Sequence, residues 1–229
     1  MGSIFSLDSP LMRGMSKIAD ILILNLLVMA TCIPVITIGA SFSAMHYVLI
    51  KLSKNEGTSV LQMYFKSFKE NFFQATGLWA VNLLALIFFA YDMYIFFFAE
   101  IFLPMPVFIC VIAVGVLFMM TCMYFYPLQA RFINPVGKTI RNSFYVMVLN
   151  FPKSVGMILL YAVPVGMIYL AIMGADFLFP MVFLFGIAAP GYGAALLYKD
   201  VFKKLEPKEA EITDDMDFHV LTEEEDTQI

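Results

Sequence analysis

The stretch ATCIPVITIGASFSAM, residues 30–45, decides how the chain is threaded. It sits inside a run from Ile21 to Ile50 that contains no Lys, Arg, Asp or Glu. A single helix needs only about 20 apolar residues to cross a bilayer, so this run is too long for one plain crossing. Pro34 removes a helix hydrogen bond and Gly39 admits a tight reversal, which together predict a turn over residues 34–40. The arms would then be Ser16–Ile33, about 27 Å long at 1.5 Å per residue, and Ser41–Asn55, about 22 Å. The second arm is short, so residues 41–55 are read either as a full crossing or as half of a re-entrant hairpin. Both readings return the chain to the side it left.

Outward from that turn the pattern repeats. Uncharged runs occupy residues 71–91, 101–130, 154–175 and 177–198, each long enough to cross once. With 61% hydrophobic and 14% charged residues, the chain is not a soluble domain. The fold expected is all-α, a polytopic transmembrane bundle of about six membrane segments. The first two form the Pro/Gly-broken hairpin, and the rest cross at 72–91, 104–130, 154–175 and 178–198. The polar opening MGSIFSLDSPLMRG leads into a long span without an A-x-A site, so no cleavable signal peptide is expected.

Charge divides the chain in two. Residues 1–204 carry 13 Lys+Arg and 8 Asp+Glu, whereas residues 205–229 carry one Lys and 10 acids. We therefore read a membrane domain over 1–204 and an acidic, disordered tail over 205–229. The basic residues fall in four clusters, around Arg13/Lys17, Lys51–Lys69, Arg131–Lys153 and Lys199–Lys208. The connections near 91–103 and 175–177 hold only Asp92, Glu100 and Asp176. Because Lys and Arg are retained inside, all four clusters and both termini are expected to be cytoplasmic, in the plasma membrane.

Three segments next to the spans have helical periodicity. In DSPLMRGMSK, Ser9 caps before Pro10. In TSVLQMYFKSFKENFF, Val60, Tyr64, Phe68 and Phe72 form a stripe opposite Lys66 and Lys69. In NPVGKTIRNSFYVMVLNFPKS, Asn134 caps and Val136, Ile140, Phe144 and Met147/Val148 form the stripe. Such basic amphipathic helices lie along the lipid–water interface. The third is also a candidate partner-docking loop, carried by Gly137, Lys138, Arg141 and Phe144. A weak internal echo links GASFSAMHYVLIKL with PGYGAALLYKDVFKKL.

Catalytic patterns are missing. His46 and His219 have no carboxylate, Cys or second His at ligand spacing, and Cys32, Cys110 and Cys122 lie in apolar runs as packing residues. There is no phosphate-binding Gly-rich loop and no G-x-S-x-G elbow. MGSIFS fits a myristoylation pattern by chance. We expect no enzyme activity, no cofactor, no metal site and no nucleic-acid partner. His46 is read as a hydrogen-bonding residue, and Asn25, Thr31, Thr37, Ser41, Ser43, Asn82 and Thr121 as helix–helix contacts.

The blocks FSLDSPLMRGMSKIADILILNLLVMATCIPVITIGASFSAMHYV, YFKSFKENFFQAT, YPLQARFINPVGKTIRNSFYVMVLNFPKS and PGYGAALLYKDVFKKLE resemble the YesL family of bacterial membrane proteins, over about residues 4–205. The resemblance implies a link to carbohydrate uptake, because family members are commonly encoded beside components of sugar ABC transporters. It assigns no catalytic residues. The expected function is a non-catalytic membrane component that assists assembly or regulation of ABC-type uptake, touching lipid and ABC permease or ATPase subunits. The alternative is a permease-like subunit forming part of a sugar path. For this alternative, Gly137, Phe144, Met147 and Leu149 loosely match the ABC permease cytoplasmic loop, while Arg131 and Phe132 replace its opening acidic and Ala residues.

Overall fold

A computed structural model describes residues 10–56, 59–98, 104–132 and 134–205. The expected cap Ser9 and the acidic tail from residue 206 onward lie outside them. Every described element is helical: α1 (Pro10–Thr31), a 3-10 turn (Val35–Thr37), α2 (Ile38–Ser53), α3 (Val60–Phe98), α4 (Met105–Cys122), α5 (Phe125–Arg131), α6 (Val136–Leu149), α7 (Phe151–Ile172), α8 (Leu178–Phe185) and α9 (Ala188–Leu205). Five are long and apolar enough to cross a membrane, or six if the bent pair α8–α9 is one span. The all-α multi-span architecture is therefore as the sequence predicts.

The opening hairpin exists, but its turn is made differently. Pro34 stands in extended geometry (φ −76°, ψ 122°) ahead of the 3-10 turn, where its missing N–H costs nothing. Gly39 does not make the reversal. It lies inside α2, without positive φ, and its value is in its missing side chain. A Cβ there would run into the Ala75 carbonyl and come within 2.8 Å of the Trp79 Cβ. Thr37 closes the turn by donating its hydroxyl to the Thr31 and Pro34 carbonyls.

Two of the three amphipathic pieces are not separate helices. The first opens α1, and the second opens α3, which runs for 39 residues without a proline. At about 58 Å, α3 is nearly twice the thickness of a hydrocarbon core, so its first turns with Lys66 and Lys69 extend beyond the membrane. Only the third, α6, is a helix of its own. The last span also continues to Leu205 rather than ending at 198.

Two spans are broken, each four residues before a proline. A proline ring collides with the carbonyl four positions back and cannot donate to it. Pro127 thereby disrupts the ladder at Met123, between α4 and α5, and Pro190 disrupts it at Gly186, between α8 and α9. The second break bends the chain by 51°. Asn25 of α1 repairs it: its Oδ1 accepts from the Ile187 and Ala188 N–H groups at 3.0 and 2.9 Å, and its Nδ2 donates to the Phe183 carbonyl at 2.8 Å. Irregular backbone at membrane depth persists only where protein groups satisfy it in this way. The main core centres on α1, α2 and α9, with Leu24, Val28, Met45, Leu49, Ala194 and Tyr198 fully buried, and α3 enters it through Val60 and Tyr64.

Candidate functional site

The centre of the bundle holds polar side chains that the apolar runs carry to one place. His46 of α2 is 3% exposed, and its Nδ1 pairs with the hydroxyl of the fully buried Tyr198 of α9 at 3.0 Å. Asn82 of α3 donates to the Tyr126 hydroxyl at 3.1 Å and accepts from the Cys122 thiol at 2.9 Å. His46, Asn82, Cys122 and Tyr126, with Phe42, Met119, Met123 and Tyr161, line a pocket of about 210 Å³. The α4–α5 break at Met123–Tyr124 forms part of its wall, and Asn82 lies at the middle of the uncharged run 71–91. The pocket is formed beside a discontinuous helix, within the apolar runs but toward their basic ends, since His46 and Tyr126 each stand five residues before Lys51 and Arg131. That placement recurs where membrane proteins bind ligands.

No charged residue lines the pocket. Its chemistry is neutral hydrogen bonding, and the Cys122 thiol is bonded to Asn82 rather than to His46. Among the described residues no group of three or more His, Cys, Asp or Glu stands close enough to hold a metal ion.

The residues singled out from the sequence lie elsewhere. Pro34 and Gly39 build the first hairpin and do not touch the pocket. Gly137, Lys138, Arg141 and Phe144 all lie on the outward face of α6, and a Cβ at Gly137 would meet nothing. The apolar stripe expected for α6 is rotated. Its inward face is Thr139, Ser143, Val146 and Met147, while Phe144 and Val148 are 48% and 52% exposed. Small polar residues win the inner face because they allow close approach, and Thr139 also finds a partner there. Thr139 donates to Gln129 Oε1 of α5 at 3.1 Å, and Gln129 in turn donates to Gln74 of α3. This amide chain ties α6 to two spans.

Some of the polar groups read as helix contacts are such contacts, and Ser43 has no hydrogen-bond partner among the described residues. Thr31 pairs with the Tyr64 hydroxyl at 2.6 Å, and Asn25 and Asn82 bridge helices as described. Ser41 and Thr121 instead donate to carbonyls of their own helix, Thr37 and Leu117. The pocket itself was missed from the sequence. Two signals pointed to it: a lone histidine in an uncharged run, and a proline four residues after Met123.

Glu56 shows how the basic clusters converge. It accepts from Lys51 Nζ at 2.9 Å and also lies in the fields of Lys54 and Arg131, so the ends of α2 and α5 are neighbours. Phe132 and Phe202 stack edge-on at 5.9 Å, which brings the end of α9 to the same place.

Comparison with known proteins finds a match in one family and nothing else: no curated protein and no solved structure matches this chain. Residues 21–93 match the family model described as "Protein of unknown function, DUF624". That segment runs from the second half of α1 through α2 into α3, narrower than the span of the resemblance read from the sequence. DUF624 is the YesL-like family of membrane proteins, and the likeness of this chain to it covers residues 21–93.

Proposed function

We propose that this multi-span membrane protein is a non-catalytic accessory of carbohydrate ABC-type uptake, acting in assembly or regulation, with both termini cytoplasmic in the plasma membrane. The observation that carries the reading is α6. Its inner face is fixed by the Thr139–Gln129–Gln74 chain, which leaves Lys138, Arg141 and Phe144 displayed together outward. A helix held rigidly from behind, with cations and an aromatic ring in front, suits docking of a permease or ATPase subunit. The gathering of Lys51, Lys54 and Arg131 around Glu56 supports a single basic side, which the inside preference of Lys and Arg makes cytoplasmic. The link to sugar uptake rests on the family resemblance.

Near anionic lipid each basic residue is worth about 1 kcal/mol, so charge alone does not distinguish lipid from partner. Two variants do. Lys138→Glu with Arg141→Glu reverses the charge, while Phe144→Ser keeps the charge and removes the ring. Both should reduce copurification of the partner from detergent extracts at normal membrane abundance. Retained binding in both would end the docking reading. The composition of the captured complex is decisive as well: a complete permease pair fits an accessory, whereas one permease with an ATPase would make this chain a permease-like subunit.

A further inference from the structure

The pocket around His46 and Asn82 adjoins a second feature. Between α3 and α4 runs an apolar groove of about 440 Å³, walled by Leu86 and Phe89 on one side and Ile112 and Val116 on the other. Groove and pocket meet at Asn82, Met119 and Cys122. Met119 forms the sill between them, a flexible thioether that is 51% exposed. The groove is open along its length, because Leu86, Ile112 and Val116 face outward, where the bilayer lies.

The hydrogen-bond inventory fixes what the pocket offers. The Tyr198 hydroxyl is fully buried and has His46 Nδ1 as its one partner among the described residues. If it only accepted from Nδ1, its own proton would be left without an acceptor in a dry core, which is strongly unfavourable. Tyr198 therefore donates to Nδ1, and the imidazole proton sits on Nε2. Nε2–H has no partner among the described residues, although His46 is 3% exposed and lines the pocket. The Tyr161 hydroxyl, also on the pocket wall, likewise makes no hydrogen bond there. Two donors are thus left facing a neutral cavity.

We propose that this junction binds a neutral amphiphile whose head carries carbonyl oxygens. The head accepts hydrogen bonds from His46 Nε2–H and Tyr161 O–H, and the apolar tail lies in the α3–α4 groove. A charged head is disfavoured by desolvation, since no Lys, Arg, Asp or Glu lines either space and the one imidazole, His46, is held neutral with its Nδ1 accepting from Tyr198. A phospholipid would bring its charged phosphate toward spaces that no Lys or Arg lines. A hexose fits poorly because both ends of the Asn82 amide are already engaged, leaving too few groups to satisfy its hydroxyls. The proposal does not depend on the role in carbohydrate uptake.

Trp79, the chain's single tryptophan, lines the groove and reports on it directly. Full-length protein in detergent micelles is titrated with methyl dibromostearate and with dibromooctadecane, which share bromine quenchers but differ in the carbonyl head. The ester should quench Trp79 saturably, and the alkane only in proportion to its micellar concentration. Tyr161→Phe should raise the half-saturating ester concentration about fivefold, the size expected for one hydrogen bond, without changing the alkane response. Gly115→Leu, which places a side chain against Phe89 in the groove, should abolish saturable quenching. Equal quenching by the two probes, or an unchanged ester response in either folded variant, overturns the proposal. Protection of Trp79 from the ester by methyl glucoside would also overturn it, and would assign the pocket to a sugar.

Discussion

Helices α2 and α3 are equally apolar to the eye, yet they live in different surroundings. α2 buries eleven of its sixteen residues, whereas α3 buries five of thirty-nine. The difference lies in side-chain size. α2 opens with Gly39, Ala40, Ser41, Ser43 and Ala44, and its neighbour α9 presents Ala188, Gly191, Ala194 and Ala195. Lipid tails are as apolar as leucine, so hydrophobicity does not draw one span to another; small residues that let backbones approach do. The outer half of α3 and the facing α4 carry Phe, Leu, Ile and Val, and these face outward instead. The molecule is a core around α2 into which the first half of α3 packs through Val60, Tyr64, Ala75 and Leu78, while the outer half of α3 and the facing α4 turn outward.

The largest effect should come from Gly39→Val. With the Ala75 carbonyl and Trp79 Cβ in the way, α2 and α3 must separate, at a cost of about 3 kcal/mol or more. Yield of monodisperse protein in detergent and resistance to SDS unfolding would report it; wild-type behaviour would mean the close approach is absent. Pro34→Ala should lose about 1 kcal/mol at most, because Pro34 precedes the helix rather than interrupting it. Next comes Asn25→Leu, which leaves two N–H groups at the α8–α9 break unpaired in an apolar setting. We expect a loss of about 2–4 kcal/mol, seen as faster proteolysis between Phe185 and Ala188.

The same comparison explains what could be read from the chain alone. Long uncharged runs announce the spans, because crossing a bilayer depends on length and hydropathy alone. The hairpin followed from Pro34 and the run length. The roles within it did not: Gly39 reads equally as a turn residue or as a contact residue, and only the position of Ala75 separates the two. The orientation of α6 was missed because periodicity assigns the apolar stripe to the interior, whereas hydrogen bonding of Thr139 to Gln129 and the small size of Ser143 turned that face inward. The pocket was missed because it gathers His46, Asn82, Cys122, Tyr126 and Tyr161 from five helices, and no local pattern records that meeting.

A pair of leucines sharpens the contrast between core and hairpin. Leu49 of α2 is fully buried, and Leu84 of α3 is 68% exposed to the outside. Leu49→Ala should destabilise by about 2–5 kcal/mol through the cavity it leaves. Leu84→Ala exchanges one lipid-facing contact for another and should change stability by less than about 0.5 kcal/mol. Similar losses at both sites would show that the outer hairpin is covered by protein in the membrane.

The smallest effect is electrostatic and lies outside the spans, where α2 ends. The hydrogen bond from Lys51 holds the Glu56 carboxyl below its ordinary 4.5, with Lys51, Lys54 and Arg131 adding to the pull against slight desolvation. A carboxylate depressed in the folded state stabilises above its unfolded value, and that contribution is lost as pH falls through the folded one. Both partners are substantially solvated, at 29% and 49% exposure, so the pair is worth little and is screened by salt. Glu56→Gln should therefore lower stability slightly near about pH 7 in low salt, and converge with wild type as the medium is acidified below the ordinary carboxylate range. Raising the salt concentration at neutral pH should close the same gap. A difference that survives both acid and salt would show that Glu56 acts by packing or backbone geometry, and that the end of α2 is held by something other than this ion pair.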